Sequence, residues 1–279
     1  MKKKTYLLTI LIPAYNNYQG VLRIINQFKS YTDVSIYISD DSNLDIVSKK
    51  IENFIINVNS PRIHYKRRGI HDGAVGNWNQ LLSMIDGEFF ILVHHDEFFS
   101  NTNFIQILKE KKEKIDALIL PVRIENQKGI KRYVKSWQQR ASIRLIFFGP
   151  FKNFIGSPTA SLVTRSDYCK AFLDELIWNV DVEWYYRIIS SLKKKVIFES
   201  GGSQVISVAN KDSITSKIIN EVPLIIKKEY KILENSGYKN MVFFWVHGGK
   251  VLFNMIFYSI YLSSFIPFWI KRKYYFKNQ

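Results

Sequence analysis

The sequence predicts an α/β protein with a mainly parallel central sheet and flanking helices. Apolar segments of strand length alternate with segments of helical periodicity from residue 5 to about residue 122. This alternation is typical of parallel strands joined by right-handed helical crossovers. Polar clusters follow two of the strands, at Asp40–Asp41 and at His94–Glu97. Because ligands of such sheets bind beyond the carboxyl ends of the strands, these clusters form the candidate site.

The first strand is expected at residues 6–12, a run rich in Ile and Leu that Pro13 ends. An unbroken apolar run of this kind is typical of a strand buried on both faces of a parallel sheet. A secretory signal peptide is the alternative, because Lys2–Lys4 precede the run. The apolar run is short and no small-x-small cleavage site follows it, which favours the strand.

The following elements alternate regularly as far as residue 122. Helices are predicted at 20–31, 46–54, 74–85 and 104–115, and strands at 34–38, 63–65, 88–93 and 117–122. Beyond residue 123 the alternation fades. An amphipathic stretch at 136–148, a loop at 149–159, a short strand at 160–164 and a helix at 180–192 are the further elements that the pattern predicts.

The composition limits the class of protein. Of 279 residues 47% are hydrophobic and Cys169 is the one cysteine, which excludes a disordered chain, a disulfide scaffold and a multi-thiolate zinc site. Forty Lys and Arg oppose 24 Asp and Glu, a net charge of +16. Such a surplus suits nucleic acid, an anionic membrane surface or an anionic substrate, and a general bias toward Lys is the plain alternative. Since no zinc-finger, RNP-type or basic recognition-helix motif occurs, nucleic acid is not expected as a partner.

The C-terminal part of the chain has a separate character. Residues 251–270 carry no charge and lie between Lys250 and the basic cluster at 271–273. The run is long enough to span a bilayer, but its serines, tyrosines and Pro267 weaken that interpretation. A helix in the membrane interface and a helix packed on the protein are the alternatives. Aromatic residues followed by basic ones suit anionic lipid, so we expect a helical membrane-associating extension at 241–279.

Each of the two polar clusters allows more than one interpretation. Asp40 and Asp41 could accept hydrogen bonds from a nucleobase or ribose at the mouth of the sheet, or they could simply form a turn. The cluster His94–Glu97 combines imidazole and carboxylate groups after a buried strand, which suits a divalent cation bound to a phosphate. Zinc is less favoured, because no four-ligand set is spaced for it.

A third acidic pair, Asp181 and Glu183, begins the helix expected at 180–192. Acids at that position suit the helix dipole, and a carboxylate could also act as general base toward a sugar hydroxyl. The chain has no Gly-x-Gly-x-x-Gly, no P-loop and no Gly-x-Ser-x-Gly. A dinucleotide enzyme, a Walker-type ATPase and a nucleophilic triad are therefore not expected.

Four segments of the chain carry a family resemblance. They are Thr9–Asn16 (TILIPAYN), Ile38–Ser42 (ISDDS), Gly76–Leu82 (GNWNQLL) and Gly87–Glu97 (GEFFILVHHDE). In this order and spacing they resemble the family 2 glycosyltransferases of the bacterial surface-polysaccharide type, which are inverting, nucleotide-sugar-dependent enzymes. The resemblance is good over residues 5–100 and thinner over 150–190, where residues 156–159 resemble the acceptor loop and residues 181–187 the helix of the catalytic acid. It implies a GT-A-like nucleotide-binding fold.

The resemblance also implies roles for individual residues. The implied donor-binding set is Pro13, Ala14, Tyr15, Asp40, Asp41, Asn77 and His95. Asp41 would contact the base, typically uracil, and Asp96 with His94 would hold Mn²⁺ or Mg²⁺ on the donor diphosphate. Asp181 would act as general base toward the acceptor hydroxyl. The implied acceptor-binding set is Ser157, Glu183 and Trp184.

The chain departs from the family pattern at three places. The usual Asp-x-Asp reads His94-His95-Asp96, so the first carboxylate is absent, and whether Glu97 replaces it stays open. The Glu that usually precedes the catalytic Asp is Val180 here. A later histidine near the metal in some members would fall around Asn210, with His247 a distant candidate. The resemblance therefore implies the nucleotide sugar more strongly than the divalent metal.

Together these observations predict a GT-A-like domain at 1–240 and the extension at 241–279. Within the domain, residues 1–122 would bind the nucleotide sugar and residues 123–240 the acceptor. The expected reaction transfers a sugar with inversion from a UDP-sugar to a saccharide or lipid-linked acceptor, in capsule or lipopolysaccharide biosynthesis. Cytosolic donor supply and the lack of a cleavable signal predict the cytoplasmic face of the cell membrane. The alternative is a catalytically degenerate domain that binds nucleotide or glycan as a partner subunit.

Overall fold

The structure is a computed structural model and describes residues 5–69, 73–126, 129–151, 155, 159–200, 202–208, 218 and 220–263. The strands are β1 (Tyr6–Ala14), β2 (Val34–Asp40), β3 (Ile63–Arg67), β4 (Gly87–Leu92), β5 (Glu97–Phe99), β6 (Ile115–Ile119), β7 (Val122–Asn126), β8 (Gly129–Val134), β9 (Leu162–Arg165), β10 (Lys195–Phe198) and β11 (Val205–Val208). The helices are α1 (Tyr18–Phe28), α2 (Asp45–Val58), α3 (Gly73–Leu82), α4 (Phe104–Lys111), α5 (Ser136–Ile143), α6 (Val180–Ser191), α7 (Val222–Leu233), α8 (Lys239–Phe244) and α9 (Lys250–Ser263).

A seven-stranded sheet with flanking helices forms the centre of the fold. Its strand order is β10-β6-β9-β4-β1-β2-β3. Strand β1 pairs in parallel with β2 on one side and with β4 on the other, and β2 continues in parallel to β3. Strand β9 runs antiparallel to both β4 and β6. The predicted mainly parallel α/β sheet is confirmed, with one reversed strand in the middle.

Both faces of this sheet are buried, as the unbroken apolar run in β1 predicts. Alternate residues of β1 enter different apolar clusters, with Ile10 and Ile12 in one and Leu11 in the other. Helix α1 covers the first cluster with the helically spaced side chains of Val21, Ile24, Ile25 and Phe28, all fully buried. Successive strand residues point to opposite faces, which is why a strand buried on both faces has no polar alternation.

A second sheet of four short strands was not predicted from the sequence. Its order is β5-β11-β7-β8. The predicted strand at 117–122 is divided between the two sheets, because β6 ends at Ile119 and β7 begins at Val122. Pro121 lies between the two strands. Because proline has no backbone N–H, no strand-to-strand hydrogen bond is lost at this position. The hairpin strands β7 and β8 are rich in charged residues, which hides the apolar alternation of a strand.

Three helices follow the sheets toward the C-terminus. Helices α7 and α8 are joined through Gly237 at φ 96°, and α8 and α9 through Gly248 at φ 143°. Both glycines adopt a backbone conformation that other residues disfavour, so they fix the bends between these helices. No helix within the described residues is long and apolar enough to cross a membrane. Of the predicted apolar run, residues 264–270 lie outside the described residues.

Candidate active site

The carboxyl ends of three adjacent parallel strands build the candidate site. Ala14 at the end of β1 lies beside Asp40 at the end of β2. On the other side of β1, Leu11 lies beside Leu92 at the end of β4. The three polar segments that follow these strands therefore meet at one edge of the sheet, as the sequence pattern predicts.

Hydrogen bonds fix the loop after β1 to the loop after β2. Asn16 adopts a left-handed backbone with φ 50°, and its backbone N–H donates to Ser42 Oγ at 2.7 Å. The Asn16 side chain donates to Asn43 Oδ1 at 2.6 Å. In addition, the backbone N–H of Asp41 donates to the Ala14 carbonyl at 3.0 Å. Asn is among the few residues that adopt this conformation readily, so residue 16 suits the tight turn beside Tyr15.

Asp40 is fully buried and its carboxylate holds this turn together. It accepts hydrogen bonds from the Ser42 backbone N–H at 2.9 Å and from the Tyr65 hydroxyl at 2.8 Å. Burial and the bond to Asp40 raise the pKa of Tyr65. Asp40 thus organises the turn that carries Asp41, whose own side chain is largely buried.

The loop after β4 packs tightly against the start of α1. The ring Nδ1 of His95 lies 3.2 Å from the Pro13 carbonyl oxygen, and the His95 carbonyl accepts a hydrogen bond from Asn17 Nδ2 at 3.0 Å. A Cβ placed on Gly20 would lie 1.7 Å from the His95 carbonyl oxygen. Glycine is therefore required at residue 20 if this loop is to keep its position.

His94, Asp96 and Glu97 form a cluster of potential metal ligands. One ligand atom from each lies within 4.8 Å of the others. The His94 ring stacks on Trp78 with 5.0 Å between centroids, and Glu97 accepts a hydrogen bond from the His94 backbone N–H at 3.0 Å. The Thr159 hydroxyl donates to the Leu92 carbonyl at 3.0 Å and lies 3.4 Å from His94 Nε2.

The electrostatics of the cluster fit a divalent cation. Burial lowers the pKa of His94 to about 4, which leaves the neutral imidazole that can ligate a metal. Burial, and secondly the charge of Asp96, raise the pKa of Glu97 well above its ordinary value. Two carboxylates and one imidazole are a donor set that Mn²⁺ accepts, and the carboxylates suit Mg²⁺. The residues present therefore fit the metal that the resemblance implies, with Glu97 added to the set.

Asp181 lies in the first turn of α6, and its Oδ1 accepts a hydrogen bond from the Val182 backbone N–H at 2.9 Å. Burial, and after it the charge of Glu229 on α7, raise the pKa of Asp181 to about 6. The charge of Asp181 contributes in turn to the raised pKa of Glu97. Both carboxylates also raise the pKa of the buried Tyr185. Asp181 and the His94–Asp96–Glu97 cluster are therefore electrostatic neighbours.

The other residues of the implied set have different surroundings. Asn77 donates from Nδ2 to the Ser39 carbonyl at 3.2 Å, while its buried Oδ1 has no hydrogen-bond partner within the described residues. Glu183 and Trp184 lie on α6 and are fully buried. Ser157 lies outside the described residues. The structure therefore brings Asn77 to the end of β2 but leaves Glu183 and Trp184 away from the surface.

The buried pair on α6 is fully engaged by its neighbours. The Glu183 carboxylate accepts hydrogen bonds from Arg187 Nη2 at 2.8 Å and from the Tyr238 hydroxyl at 2.7 Å. The Trp184 ring stacks on Phe172 with 4.6 Å between centroids, and its indole N–H donates to a backbone carbonyl. In the sequence, apolar and acidic residues simply alternate at the start of this helix. That pattern does not show that Glu183 is buried with a structural role while Asp181 is not.

Sequence reasoning left three neighbours of the site without a role. Trp78 lies in the segment Gly76–Leu82, but an aromatic residue there is equally typical of a core. Thr159 ends the segment 156–159, in which the resemblance implies an acceptor loop, but nothing in the sequence indicated that its own hydroxyl returns to β4. Glu229 lies on a helix that is far from the site along the chain, so only the folded structure reveals its contacts.

Fold and site together place the chain in a known class of enzymes. The family model described as "Glycosyl transferase family 2" matches residues 9–179, which is more than half of the chain. The chain belongs to this family and is a glycosyltransferase. The matched range includes the ends of β1, β2 and β4 and the loop that leads into α6.

One curated sequence and two solved structures illustrate the likeness. The chain is 22% identical over 196 residues to the Escherichia coli (strain K12) protein named "Putative colanic acid biosynthesis glycosyl transferase WcaA", with 67% of each chain covered. The crystal structure of S. aureus TarS 1-349 in complex with UDP-GlcNAc aligns with a TM-score of 0.57 at 14% identity, covering 75% of this chain and 60% of that one. Mannosyltransferase PcManGT from Pyrobaculum calidifontis, in complex with GDP-Man and Mn²⁺, aligns with a TM-score of 0.57 at 10% identity, covering 96% and 77%.

At these identities the structural likeness concerns the fold alone. The mixed α/β fold, with its central sheet and flanking helices, is similar to that of GT-A glycosyltransferases. The chain spans less than two thirds of TarS 1-349.

Proposed function

We propose that this chain transfers one sugar, with inversion, from a UDP-sugar to a saccharide or lipid-linked acceptor in the synthesis of a surface polysaccharide such as capsule or lipopolysaccharide. The observation that carries the proposal is the electrostatic influence of Asp181, a carboxylate whose pKa is raised to about 6, on Glu97 of the His94–Asp96–Glu97 cluster. A base for the acceptor and a site for the donor diphosphate would then act on the same substrates. The names of the relatives, which include colanic acid biosynthesis and UDP-GlcNAc, are consistent with this assignment.

The donor would bind along the ends of β1 and β2. We assign the backbone of Pro13, Ala14 and Tyr15 to the wall of the nucleotide pocket and Asp41 to the uracil base. Tyr15 is 45% exposed, so its ring is available to a ligand. The unpartnered Oδ1 of Asn77 is a further acceptor at this edge.

The diphosphate would lie at the end of β4. We assign His94, Asp96 and Glu97 to Mn²⁺ or Mg²⁺, and His95 to the donor side of the same loop. A divalent cation bound there would neutralise charge on the departing nucleoside diphosphate. Asn17 and Gly20, at the start of α1, contact the His95 carbonyl of this loop, so the ligand groups would be kept in place without a bound substrate.

The reaction itself is a direct displacement. The Asp181 carboxylate accepts the proton of an acceptor hydroxyl while that oxygen forms a bond to the anomeric carbon. The bond from the anomeric carbon to the diphosphate oxygen breaks, and the electron pair leaves with the diphosphate. Attack opposite the leaving group inverts the anomeric centre. Ser157 is assigned to the acceptor, whereas the buried contacts of Glu183 and Trp184 favour a structural role for both.

The degenerate-domain alternative is not favoured by this geometry. It depends on the missing first carboxylate of the Asp-x-Asp pattern. Glu97 brings a second carboxylate to the cluster, and Asp181 has a pKa suited to a general base near neutral pH. A domain that had lost its activity would not need either feature.

A membrane surface is the partner that we propose for the C-terminal helices. Exposed apolar side chains project from α8, α9 and their connection, at Phe243, Phe244, Val246, Val251, Leu252 and Met255. Next to them lies a groove of about 700 Å³ between α7 and α8, whose lining includes Ile226, the three lysines Lys227, Lys231 and Lys250, and one acid, Glu234. Apolar surface flanked by lysines suits an anionic bilayer. Donor binding by residues 1–122, acceptor binding by 123–240 and attachment by 241–279 would then act together at the cytoplasmic face of the cell membrane.

A donor screen tests the proposed function. The full chain is incubated with UDP-, GDP- and dTDP-sugars, Mn²⁺ and a set of saccharide and lipid-linked acceptors, and the released nucleoside diphosphate is measured. We expect release with a UDP-sugar, enhanced by an acceptor, and a product of inverted anomeric configuration by NMR. Release of the diphosphate from a GDP-sugar but from no UDP-sugar would show that the proposed donor is wrong. A product with retained anomeric configuration would contradict the proposed direct displacement. Tight UDP binding without turnover for any donor and acceptor would favour the degenerate domain.

A further inference from the structure

We propose that Glu229 is a positioning residue for Asp181. This inference rests on the proposed function, because it assigns Glu229 to the machinery that holds the general base. Glu229 is 2% exposed and lies on α7, in a part of the chain outside the matched family region. Its carboxylate contacts the segment that leads directly into α6.

The geometry is a clamp of one carboxylate on three consecutive residues. Glu229 Oε1 accepts hydrogen bonds from the backbone N–H groups of Ile177 at 2.5 Å and Trp178 at 2.6 Å. Glu229 Oε2 accepts from the backbone N–H of Asn179 at 3.0 Å and from its side-chain Nδ2 at 2.8 Å. Four donors therefore converge on a single buried group.

These contacts fix the start of α6. Asn179 precedes the first helical residue, Val180, and its carbonyl oxygen accepts the backbone N–H of Glu183 at 2.8 Å. Asp181 lies two residues after Asn179, in the first turn. Since Glu229 holds the residue at which the helix begins, it determines where that first turn starts and where the Asp181 carboxylate lies.

The energetics favour a dedicated clamp. Burying a carboxylate is costly unless hydrogen bonds compensate it, and bonds to an ionised acceptor are stronger than neutral ones. Glutamine at residue 229 would keep one oxygen acceptor but would turn an N–H₂ group toward backbone donors. Aspartate would keep the charge with a side chain that is one methylene shorter, so it would restore part of the clamp.

The test compares three variants in the donor assay. We expect Glu229→Gln to lower kcat roughly 10- to 100-fold, the scale of a misplacement of about 1 Å, with UDP affinity and donor KM unchanged within about twofold. Glu229→Asp should recover part of kcat. Glu234→Gln, on the exposed residue after α7, is the matched control and should behave as wild type. Amide hydrogen exchange at residues 177–179 should quicken in Glu229→Gln and stay unchanged in the control.

A double variant separates positioning from general destabilisation. In an Asp181→Asn background, Glu229→Gln should cause little further loss of kcat, because the base that it positions is already absent. Full additivity of the two losses, or a wild-type kcat in Glu229→Gln, would overturn the proposal while leaving the proposed function intact. A fall in UDP affinity matching the fall in kcat would also overturn it. Absence of turnover by wild type would instead contradict the proposed function itself.

Discussion

Gly20 and His95 touch so closely that a Cβ at residue 20 would lie 1.7 Å from the His95 carbonyl oxygen. The contact joins the start of α1 to the loop that carries the proposed metal ligands. It links α1, which packs on the parallel sheet, to the polar loop at the end of β4. The lack of a side chain at Gly20 therefore lets the loop after β4 take its position.

Gly20→Ala should displace the His95–Asp96 loop. We expect the free energy of unfolding to fall by about 1–3 kcal/mol, the usual cost of overpacking a buried contact. The loop shift should also lower the affinity for Mn²⁺. Gly69→Ala is the matched control, because a Cβ at Gly69 meets no atom within 4 Å. Chemical denaturation and a Mn²⁺ titration measure both effects, and equal results for the two variants would show that the contact is unimportant.

Asp96→Asn should lower the affinity of the site for Mn²⁺. Removing one carboxylate from the His94–Asp96–Glu97 cluster is expected to lower Mn²⁺ affinity by at least about tenfold, the scale seen for loss of a supporting group around a metal. Mn²⁺ binding can be followed by the EPR signal of the free ion, independently of turnover. Asp174→Asn, on an exposed residue before α6, is the control. An unchanged Mn²⁺ affinity in Asp96→Asn would show that the cluster does not bind the metal.

The pH dependence of kcat should report Asp181. Burial, and then the charge of Glu229, raise its pKa to about 6. A general base must be ionised, so the active form predominates above that pH and is lost below it. We expect kcat to fall about tenfold per unit below about pH 6 and to be level just above it. A kcat that is constant between pH 5 and pH 8 would contradict the assignment.

The C-terminal helices should bind anionic vesicles. Replacing Lys227, Lys231 and Lys250 together by Gln should remove about 3 kcal/mol of binding, at about 1 kcal/mol for each lysine, or about a hundredfold in affinity. Co-sedimentation with phosphatidylglycerol vesicles measures this, with phosphatidylcholine vesicles as the neutral comparison. Lys49, Lys50 and Lys111 are exposed lysines on α2 and α4, and their triple Gln variant is the control. An equal loss of vesicle affinity in both triple variants would show that only the net charge of the protein matters, and would contradict a binding site on the C-terminal helices.

Much of the first half of the fold could be predicted from the sequence. Strand β1 and helix α1 were expected within two or three residues of their observed ends, because the apolar pattern alone determines which face is buried. The polar ends of β2 and β4 were also identified, since parallel strands all end at one edge. The observed positions of Asp40–Asp41 and His94–Asp96 agree with this expectation.

The remaining features depend on contacts that a local sequence pattern does not contain. Strands β5, β10 and β11 have three or four residues, too few to show a period, and β9 inserts antiparallel between β4 and β6. Glu183 and Asp181 are two residues apart on one helix, yet Glu183 pairs with Arg187 inside the protein, whereas the charge of Asp181 contributes to the raised pKa of Glu97. Glu97 joins the cluster of potential metal ligands through the fold of its loop. Each of these facts follows from tertiary packing.

The measurement that tests the central claim most directly is the turnover of Asp181→Asn beside wild type, with the active donor and acceptor. We predict that kcat falls by about 10²–10⁴-fold, the usual contribution of a positioned general base. UDP affinity and the melting temperature should stay as in wild type, and Asp174→Asn should retain full activity. A kcat in Asp181→Asn within a few fold of wild type would contradict the account, because no base at the start of α6 would then be needed.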